Sequence, residues 1–239
     1  MARIFLTAEW RSLVLLNFEI DRSILRPLIP RGTELDERAG RHFISLVGFL
    51  FLDTRILGVP AFFHRDFEEI NLRFYVRRSV GGAIRRGVVF IREMVSLPLV
   101  ATVARLTYNE PYRIVPMRHA IRAMGTALQS AEYRFGSPRD ECRFELRADG
   151  DASPIAVGSD EDFFTDRPWG YTRQRDGGTI EYHVEHPRWN TWSSAGGEIN
   201  GPIGDFYDEP FSSILSGTPA SAFIADGSAV AVHLPERIA

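Results

Sequence analysis

The sequence contains no lysine, and all 28 of its basic side chains are arginine. A guanidinium group stays protonated at any relevant pH and forms no imine with a carbonyl compound, whereas a lysine amine can do so. Mechanisms that pass through a side-chain imine are therefore excluded for this chain, whatever the origin of the arginine bias.

Cysteine is nearly absent as well, since Cys142 is the single example. One cysteine cannot form an intramolecular disulfide, which agrees with a reducing compartment. The strand-like segment around Cys142 has neither a glycine-rich turn nor a helix start that would activate the thiol. We expect Cys142 to be an ordinary core residue and not a nucleophile.

Long hydrophobic runs are missing too. The longest nearly apolar run, residues 43–52, has about half the length that a membrane helix needs. Glu9 and Arg11 interrupt the apolar start of the chain, which argues against a signal peptide. The net charge is -3 and no basic stripe is present, so a nucleic-acid partner is not expected. We expect a cytoplasmic protein with no membrane partner.

The 239 residues include 44% hydrophobic residues and 17 phenylalanines, enough for a bulky core. We expect one domain, residues 1–239, because a β-rich barrel of this size is common. No internal repeat, low-complexity tract or linker divides the chain.

Local patterns predict many strands and a few short helices. Helices are predicted at 22–28 and, with Ser96 as the N-cap, at 96–105. Residues 119–133 are rich in alanine and favour a helix on propensity, although residues 128–135 could equally form a strand. At the end of the chain, residues 220–225 and 229–234 flank Asp-Gly and predict a hairpin.

A strictly alternating strand begins at residue 69. Its polar face carries Glu69, Asn71, Arg73 and Tyr75. Its apolar face carries Ile70, Leu72, Phe74 and Val76. The apolar face belongs on a core, while in a closed barrel the polar face would line a pocket. An ordinary solvated face is the alternative interpretation.

Several segments together resemble a known family. They are Trp10-Arg11 and residues 25–30, 66–77, 86–90 and 186–189. The chain resembles the YqjF-like family, uncharacterised bacterial proteins that are grouped in the acetoacetate decarboxylase-like superfamily. The resemblance implies a mainly β (α+β) fold, namely a closed, cone-shaped antiparallel β-barrel with a few short outer helices and an inner ligand cavity.

The resemblance also implies positions for the decarboxylase's working residues. Its entry-strand arginine matches Arg11, and its pocket glutamate matches Glu69. Its second glutamate would fall near Ile44, so that acid is expected to be lost. We predict that Arg11 and Glu69 lie within hydrogen-bonding reach of each other or of one shared ligand, since a lone buried arginine would be costly.

The decarboxylase signature Tyr-Pro-Lys-Lys matches Glu110-Pro111-Tyr112-Arg113. Tyr112 then stands where the imine-forming lysine would be, and Arg113 stands where the second lysine lowers the pKa of the first. The resemblance thus implies the same architecture with a replaced reaction centre.

His183 and His186, with Glu181 and Glu185, invite a metal-site hypothesis. On a strand, however, His183 and His186 point to opposite faces. Three alternating polar residues on one face usually form a solvated side. We therefore expect no metal site and no cofactor.

The sequence leaves one constellation for a ligand. Its members are Arg11, Glu69, Asn71, Arg73, Tyr75, Tyr108, Tyr112 and Arg113. Arginines can bind a carboxylate, glutamate can act as a base, and tyrosines can hydrogen-bond a carbonyl or enolate oxygen. We expect a cavity that binds a small carboxylate or carbonyl compound. Enolisation, hydration and non-covalent decarboxylation all fit these groups, so the catalytic residues stay unassigned.

The alternative is a non-catalytic structural or regulatory barrel whose Arg–Glu network only stabilises the fold. A cavity plugged by side chains would favour it. The sequence leaves open whether the chain forms a homo-oligomer.

Overall fold

The computed structural model describes residues 3–61, 65–124, 127–194 and 196–239, and strands dominate these ranges. The strands are Ile4–Ile20 (β1), Glu34–Leu35 (β2), His42–Ile56 (β3), Val59–Pro60 (β4), Phe67–Val80 (β5), Ala83–Val95 (β6), Tyr112–Ile114 (β7), Met117–Met124 (β8), Ala127–Phe135 (β9), Cys142–Arg147 (β10), Asp149–Pro154 (β11), Trp169–Arg173 (β12), Thr179–Glu185 (β13), Asn190–Ser193 (β14), Ile199–Asn200 (β15), Ser221–His233 (β16) and Glu236–Arg237 (β17).

The helices are short. The α-helices are Arg22–Leu25 (α1), Pro98–Tyr108 (α2), Asp160–Thr165 (α3) and Phe211–Leu215 (α4), and 3-10 helices occupy Arg26–Leu28 and Ile203–Asp205. Within the described part of the chain, no helix combines the length and the apolar character that crossing a bilayer would need. The mainly β fold class that the sequence predicts is confirmed.

Seven strands form a closed ring. Their order is β16, β1, β3, β5, β6, β12 and β13, and β13 pairs back with β16. The closing pairs are Val184 with Val232 and Glu185 with Ala231. All ring pairings are antiparallel except that of β6 with β12. A closed ring leaves few strand edges exposed to other chains.

The ring is buried on both faces where β1, β3 and β5 lie. A second sheet, with the order β15, β10, β9, β8, covers their outer face. Val14 and Leu16 pack outward against this sheet's Tyr133 and Phe144, while Leu13 and Leu15 pack inward. This double burial explains why the first half of the sequence is rich in apolar runs.

Helix α3 closes one end of the ring interior. The Ser159 hydroxyl accepts a hydrogen bond from the backbone N–H of Asp162 at 3.2 Å and so caps the helix. Phe163 and Phe164 then pack against Tyr75 inside the ring. Their burial anchors this end and leaves the remaining interior for a cavity.

Of the two alternatives for the alanine-rich segment 119–133, the strand is confirmed at its C-terminal end, and its described residues lie in β8 and β9. The expected hairpin at 220–234 is wrong, because residues 221–233 form one long strand, β16. β16 passes straight through Asp226 and Gly227 because β1 pairs with it on both sides of that point. Pairing along a whole sheet thus overrides local helix and turn preference.

The two predicted helices are nearly right. Residues 22–28 form α1 and the 3-10 helix that follows it. The second helix begins at Pro98, with Leu97 and not Ser96 as its N-cap, and it extends to Tyr108. Pro98 fits the first turn, where its missing N–H has no intrahelical partner to lose.

Candidate functional site

The ring interior holds a cavity of about 310 Å³ whose wall is mostly apolar and aromatic. The phenylalanines and tryptophans of the wall are Phe5, Trp10, Phe49, Phe51, Phe67, Phe90, Trp169 and Trp189. Helix α2 covers one side with Leu99, Val100 and Val103. A largely apolar cavity with a few convergent polar groups is the usual form of a small-molecule site.

Strand β5 supplies a polar row to this cavity. Glu69, Asn71 and Arg73 line it, whereas Ile70 and Leu72 pack in the outer core beneath the second sheet. The alternation expected from the sequence, with Glu69 facing inward, is therefore confirmed. It follows from the period of two, because successive side chains of a strand leave it on opposite faces.

Tyr75 continues the same row but lies beyond the cavity. Its ring packs on Phe163, and its hydroxyl lies 2.5 Å from the hydroxyl of Ser45. Since neighbouring side chains surround it, Tyr75 is a core residue of the closed end and not a residue of the cavity wall.

Three buried glutamates meet in the cavity: Glu69, Glu93 and Glu110. The register of β5 and β6 sets Glu93 opposite Asn71, next to Glu69. Glu110 follows α2, directly before Pro111. Glu93 and Glu110 were missed by sequence reasoning, which expected the second acid of the site to be lost. Glu110 did lie in the segment matched to the decarboxylase signature.

Burial controls the protonation of these acids. It raises the pKa of Glu69 from 4.5 to about 7, against the opposing effects of hydrogen bonds from Asn71 and Tyr112 and of the charge on Arg73. It raises the pKa of Glu110 to about 8. Burial also raises the pKa of Glu93 well above 4.5, and the charges of Glu110 and Glu69 add to this rise. Near neutral pH the cluster therefore holds protons that exposed glutamates would have released.

Two tyrosines bind the glutamates. The Tyr112 hydroxyl donates a hydrogen bond to Glu69 Oε2 at 2.9 Å, and the Tyr182 hydroxyl donates to Glu110 Oε1 at 2.5 Å. Burial raises the pKa of both tyrosines well above 10, so both remain neutral donors. Tyr108, also in the wall, donates to the backbone carbonyl of His233 at 3.1 Å.

Several buried polar atoms of the wall have no hydrogen-bond partner among the described residues. At the acidic end these atoms are Asn71 Oδ1, Arg73 Nε and Glu93 Oε2. Burying a polar atom without a partner costs about 1–3 kcal/mol. Because the three atoms border one cavity, a bound molecule with its own donors and acceptors could satisfy them together.

Arg11 and Arg113 lie outside the cavity, which corrects the predicted constellation. Arg11 pairs with Glu9 at 2.5 Å and donates to the carbonyl of Gly227 at 3.1 Å. The direct contact with Glu69, one of the two arrangements predicted for Arg11, is wrong, because Glu69 hydrogen-bonds with Asn71 and Tyr112 instead.

Arg113 is exposed and donates to the carbonyl of Asp205 at 3.0 Å. Strand alternation explains both errors. Trp10 and Tyr112 point inward, so the residue that follows each of them points outward.

Arg73 is the guanidinium that reaches the acidic end. One of its terminal nitrogens donates to the carbonyl of Phe164 at 3.0 Å. A second guanidinium of the wall, Arg167, is already paired with Asp36 at 2.5 Å. Arg73 is therefore the candidate cation for an anionic or carbonyl ligand.

The acid cluster predicts that stability falls as the pH rises from about 4.5 to about 8. A carboxyl group whose folded-state pKa is raised keeps its proton in the folded state after the unfolded state has lost it. Its contribution to the free energy of unfolding is therefore complete below pH 4.5 and is lost as the pH rises through the folded-state pKa. The rise in the pKa of Glu69 alone corresponds to a loss of about 3 kcal/mol in the free energy of unfolding.

Urea unfolding at pH 5, 6, 7 and 8 measures this slope. Glu69→Gln, which cannot ionise, should flatten it, whereas Glu34→Gln should leave it unchanged, since Glu34 is exposed outside the cavity and pairs with Arg77, whose charge is constant over this range. Equal slopes in the three proteins would contradict the assignment of the proton uptake to Glu69.

Comparisons with known proteins agree with this architecture. The model of the DUF2071 family, described as "Uncharacterized conserved protein (COG2071)", matches residues 7–229. The uncharacterized protein YqjF of Bacillus subtilis is 30% identical over 110 residues, which are 46% of this chain and 44% of that protein. The match to YqjF thus spans less than half the length of that protein.

Two solved structures share the fold. Acetoacetate decarboxylase from Legionella pneumophila superposes with a TM-score of 0.68 at 11% identity, covering 99% of this chain and 88% of that one. The enduracididine biosynthesis enzyme MppR, complexed with pyruvate, gives a TM-score of 0.68 at 10% identity, covering 100% and 92%. The family resemblance and the acetoacetate decarboxylase-like fold predicted from the sequence are both confirmed.

Proposed function

The chain belongs to the DUF2071 family of uncharacterized conserved proteins, whose description names no reaction, and we propose a function for it from the residues that line its cavity. We propose that the cavity binds a small carbonyl or carboxylate compound. Its oxygen atoms would lie at the end formed by Glu69, Asn71, Arg73, Glu93 and Tyr112, and its apolar part would lie against the aromatic wall.

The observation that carries this proposal is the acidic end of the cavity. Three glutamates, the guanidinium of Arg73 and the hydroxyl of Tyr112 border one apolar space, and Asn71 Oδ1, Arg73 Nε and Glu93 Oε2 lack partners among the described residues. A purely structural network would be expected to satisfy its own members. Hydrogen-bonding atoms that lack protein partners and face a cavity favour the binding of a ligand.

The protonation of the cluster indicates the kind of ligand. A fully ionised cluster would repel a carboxylate, but burial raises the pKa of each acid so that the cluster retains protons near neutral pH, and a protonated carboxyl group can donate to an oxygen atom. Arg73 adds a charged donor. A compound with a carbonyl, a carboxylate or both suits this set, and MppR, which shares the fold, is complexed with pyruvate.

The chemistry available in the cavity is acid–base chemistry. Tyr112 occupies the position at which the resemblance places the imine-forming lysine, and a phenol forms no imine. A glutamate with a pKa of about 7 is well matched to accept or donate a proton at neutral pH. Proton transfer next to a carbonyl group, as in enolisation, is the step that Glu69 could perform.

Arg73→Met tests the proposed site. Removing a charge-assisted donor should cost about 1.5–3 kcal/mol, or about one to two decades in affinity for a carboxylate. Pyruvate, with 2-pentanone as an uncharged ketone, serves as the probe in thermal-shift and calorimetric titrations. Pyruvate should stabilise the wild type and bind Arg73→Met more weakly, and Arg73→Lys should recover part of the affinity.

Arg77→Met is the matched control. Arg77 lies on the same strand but pairs with Glu34 outside the cavity, at 3.0 Å. The Arg77→Met variant should bind pyruvate and 2-pentanone as the wild type does. If neither probe stabilises the wild type, and Arg73→Met only lowers the melting temperature, the Arg–Glu network is structural and the binding proposal fails.

A further inference from the structure

A second group of side chains lies on the outer face of the ring, at its closing seam. His183 and Glu185 alternate with Tyr182 and Val184 on β13, and the latter two line the inner cavity. Continuing the register Val184–Val232 by one residue sets His183 opposite His233 of β16. The seam therefore brings two imidazoles and one carboxylate to the same face.

The ligand atoms of these residues are close together. Glu185 Oε1 lies 2.7 Å from His233 Nε2 and 3.7 Å from His183 Nδ1, and one donor atom from each of the three residues lies within 4.8 Å of the others. Ligands at about 2.0–2.2 Å from a tetrahedral ion are about 3.3–3.6 Å apart. Small side-chain rotations of Glu185 and His183, which are 52% and 34% exposed, would bring the three atoms towards such distances.

We propose that His183, Glu185 and His233 bind a divalent transition-metal ion such as Zn²⁺. Two imidazoles and one carboxylate are a common three-ligand set for zinc, with a water molecule as the fourth ligand. The ion would bridge β13 and β16 where only two residue pairs close the ring.

The surroundings hold the imidazoles in place. The ring of His183 packs on Trp169, with centroids 4.6 Å apart, and His233 is 6% exposed. The nearby cation Arg85 pairs with Glu181, which offsets its charge.

Sequence reasoning rejected a metal site because it paired His183 with His186. His186 does lie elsewhere, stacked on Trp189 with centroids 4.5 Å apart. The missing partner is His233, which is 50 residues further along the chain than His183. Only the closure of the ring brings these two residues together.

Zinc and cobalt titrations of tag-free, EDTA-treated protein test the site. Calorimetry should find one equivalent of Zn²⁺, and Co²⁺ should give the visible absorption typical of tetrahedral coordination. Saturating Zn²⁺ should raise the melting temperature by about 5 °C, because the ion binds the folded seam. Affinity should fall as the pH is lowered, because protons compete with the metal ion for its ligands.

Three variants decide the result. His183→Asn and Glu185→Gln, both at the surface, should each weaken Zn²⁺ binding at least about 10-fold. His119→Asn is the control, because His119 forms a similar 2.7 Å contact with Glu68 but belongs to no such three-residue group. Binding by the wild type that is no tighter than binding by His183→Asn, or equal losses in all three variants, would overturn the proposal.

Discussion

Asp36→Asn is expected to lower the free energy of unfolding by about 3–5 kcal/mol. Asp36 and Arg167 form an ion pair at 2.5 Å, and the side chain of each is 2% exposed. Removing the negative charge leaves a buried guanidinium whose charge is not compensated. Arg77 and Arg86 also approach Asp36, at 4.0 Å and 3.8 Å, so the variant would remove the anion that three cations share.

Asp176→Asn is the matched control. Asp176 also forms an ion pair, with Arg237 at 2.8 Å, and also accepts a backbone N–H, from Gly178 at 3.0 Å. Both partners of this pair are more than half exposed, so solvent screens their charges and the loss of the pair should cost much less than the loss of the buried one. Urea unfolding of both variants at pH 7 measures the difference. Similar losses would show that the buried pair adds no more than an exposed one.

Gly227→Ala is expected to destabilise the protein by roughly 3–5 kcal/mol. Gly227 has a φ of +79°, which side chains rarely adopt. A Cβ atom there would lie 2.1 Å from the carbonyl oxygen of Trp10. This oxygen belongs to the backbone of β1, so it can move only if the pairing of β1 with β16 is disturbed.

Gly177→Ala separates the cost of the positive φ from the cost of the steric contact with β1. Gly177 has a similar φ of +83°, but no atom lies within 4 Å of the position of its Cβ. This variant should show the cost of the backbone conformation alone, about 1–2 kcal/mol. The difference in urea unfolding free energy then reports the close approach of the two strands. If both variants lose the same free energy, β1 yields easily and the approach is not a constraint.

The sequence by itself determined the chemistry that is excluded and the direction of one strand's side chains. The absence of lysine needs no structure to rule out a side-chain imine. The alternation of β5 was sufficient to aim Glu69, Asn71 and Arg73 at one space, because a period of two is a property of the extended chain. Of the segment 110–113, which the resemblance placed in the site, Glu110 and Tyr112 line the cavity, whereas Arg113 points away.

Only the tertiary structure decided which distant groups meet. Glu93 and Glu110 join Glu69, and His233 joins His183, because strands far apart in sequence become neighbours when the ring closes. Arg11 was placed in the site by resemblance alone. It lies outside because the side chain of Trp10 points into the cavity, and the next residue of the strand points to the opposite face. Alternation is local and can be read along one strand. Register between strands, and the burial that raises the pKa of Glu69, arise from contacts across the sheet that no segment contains by itself.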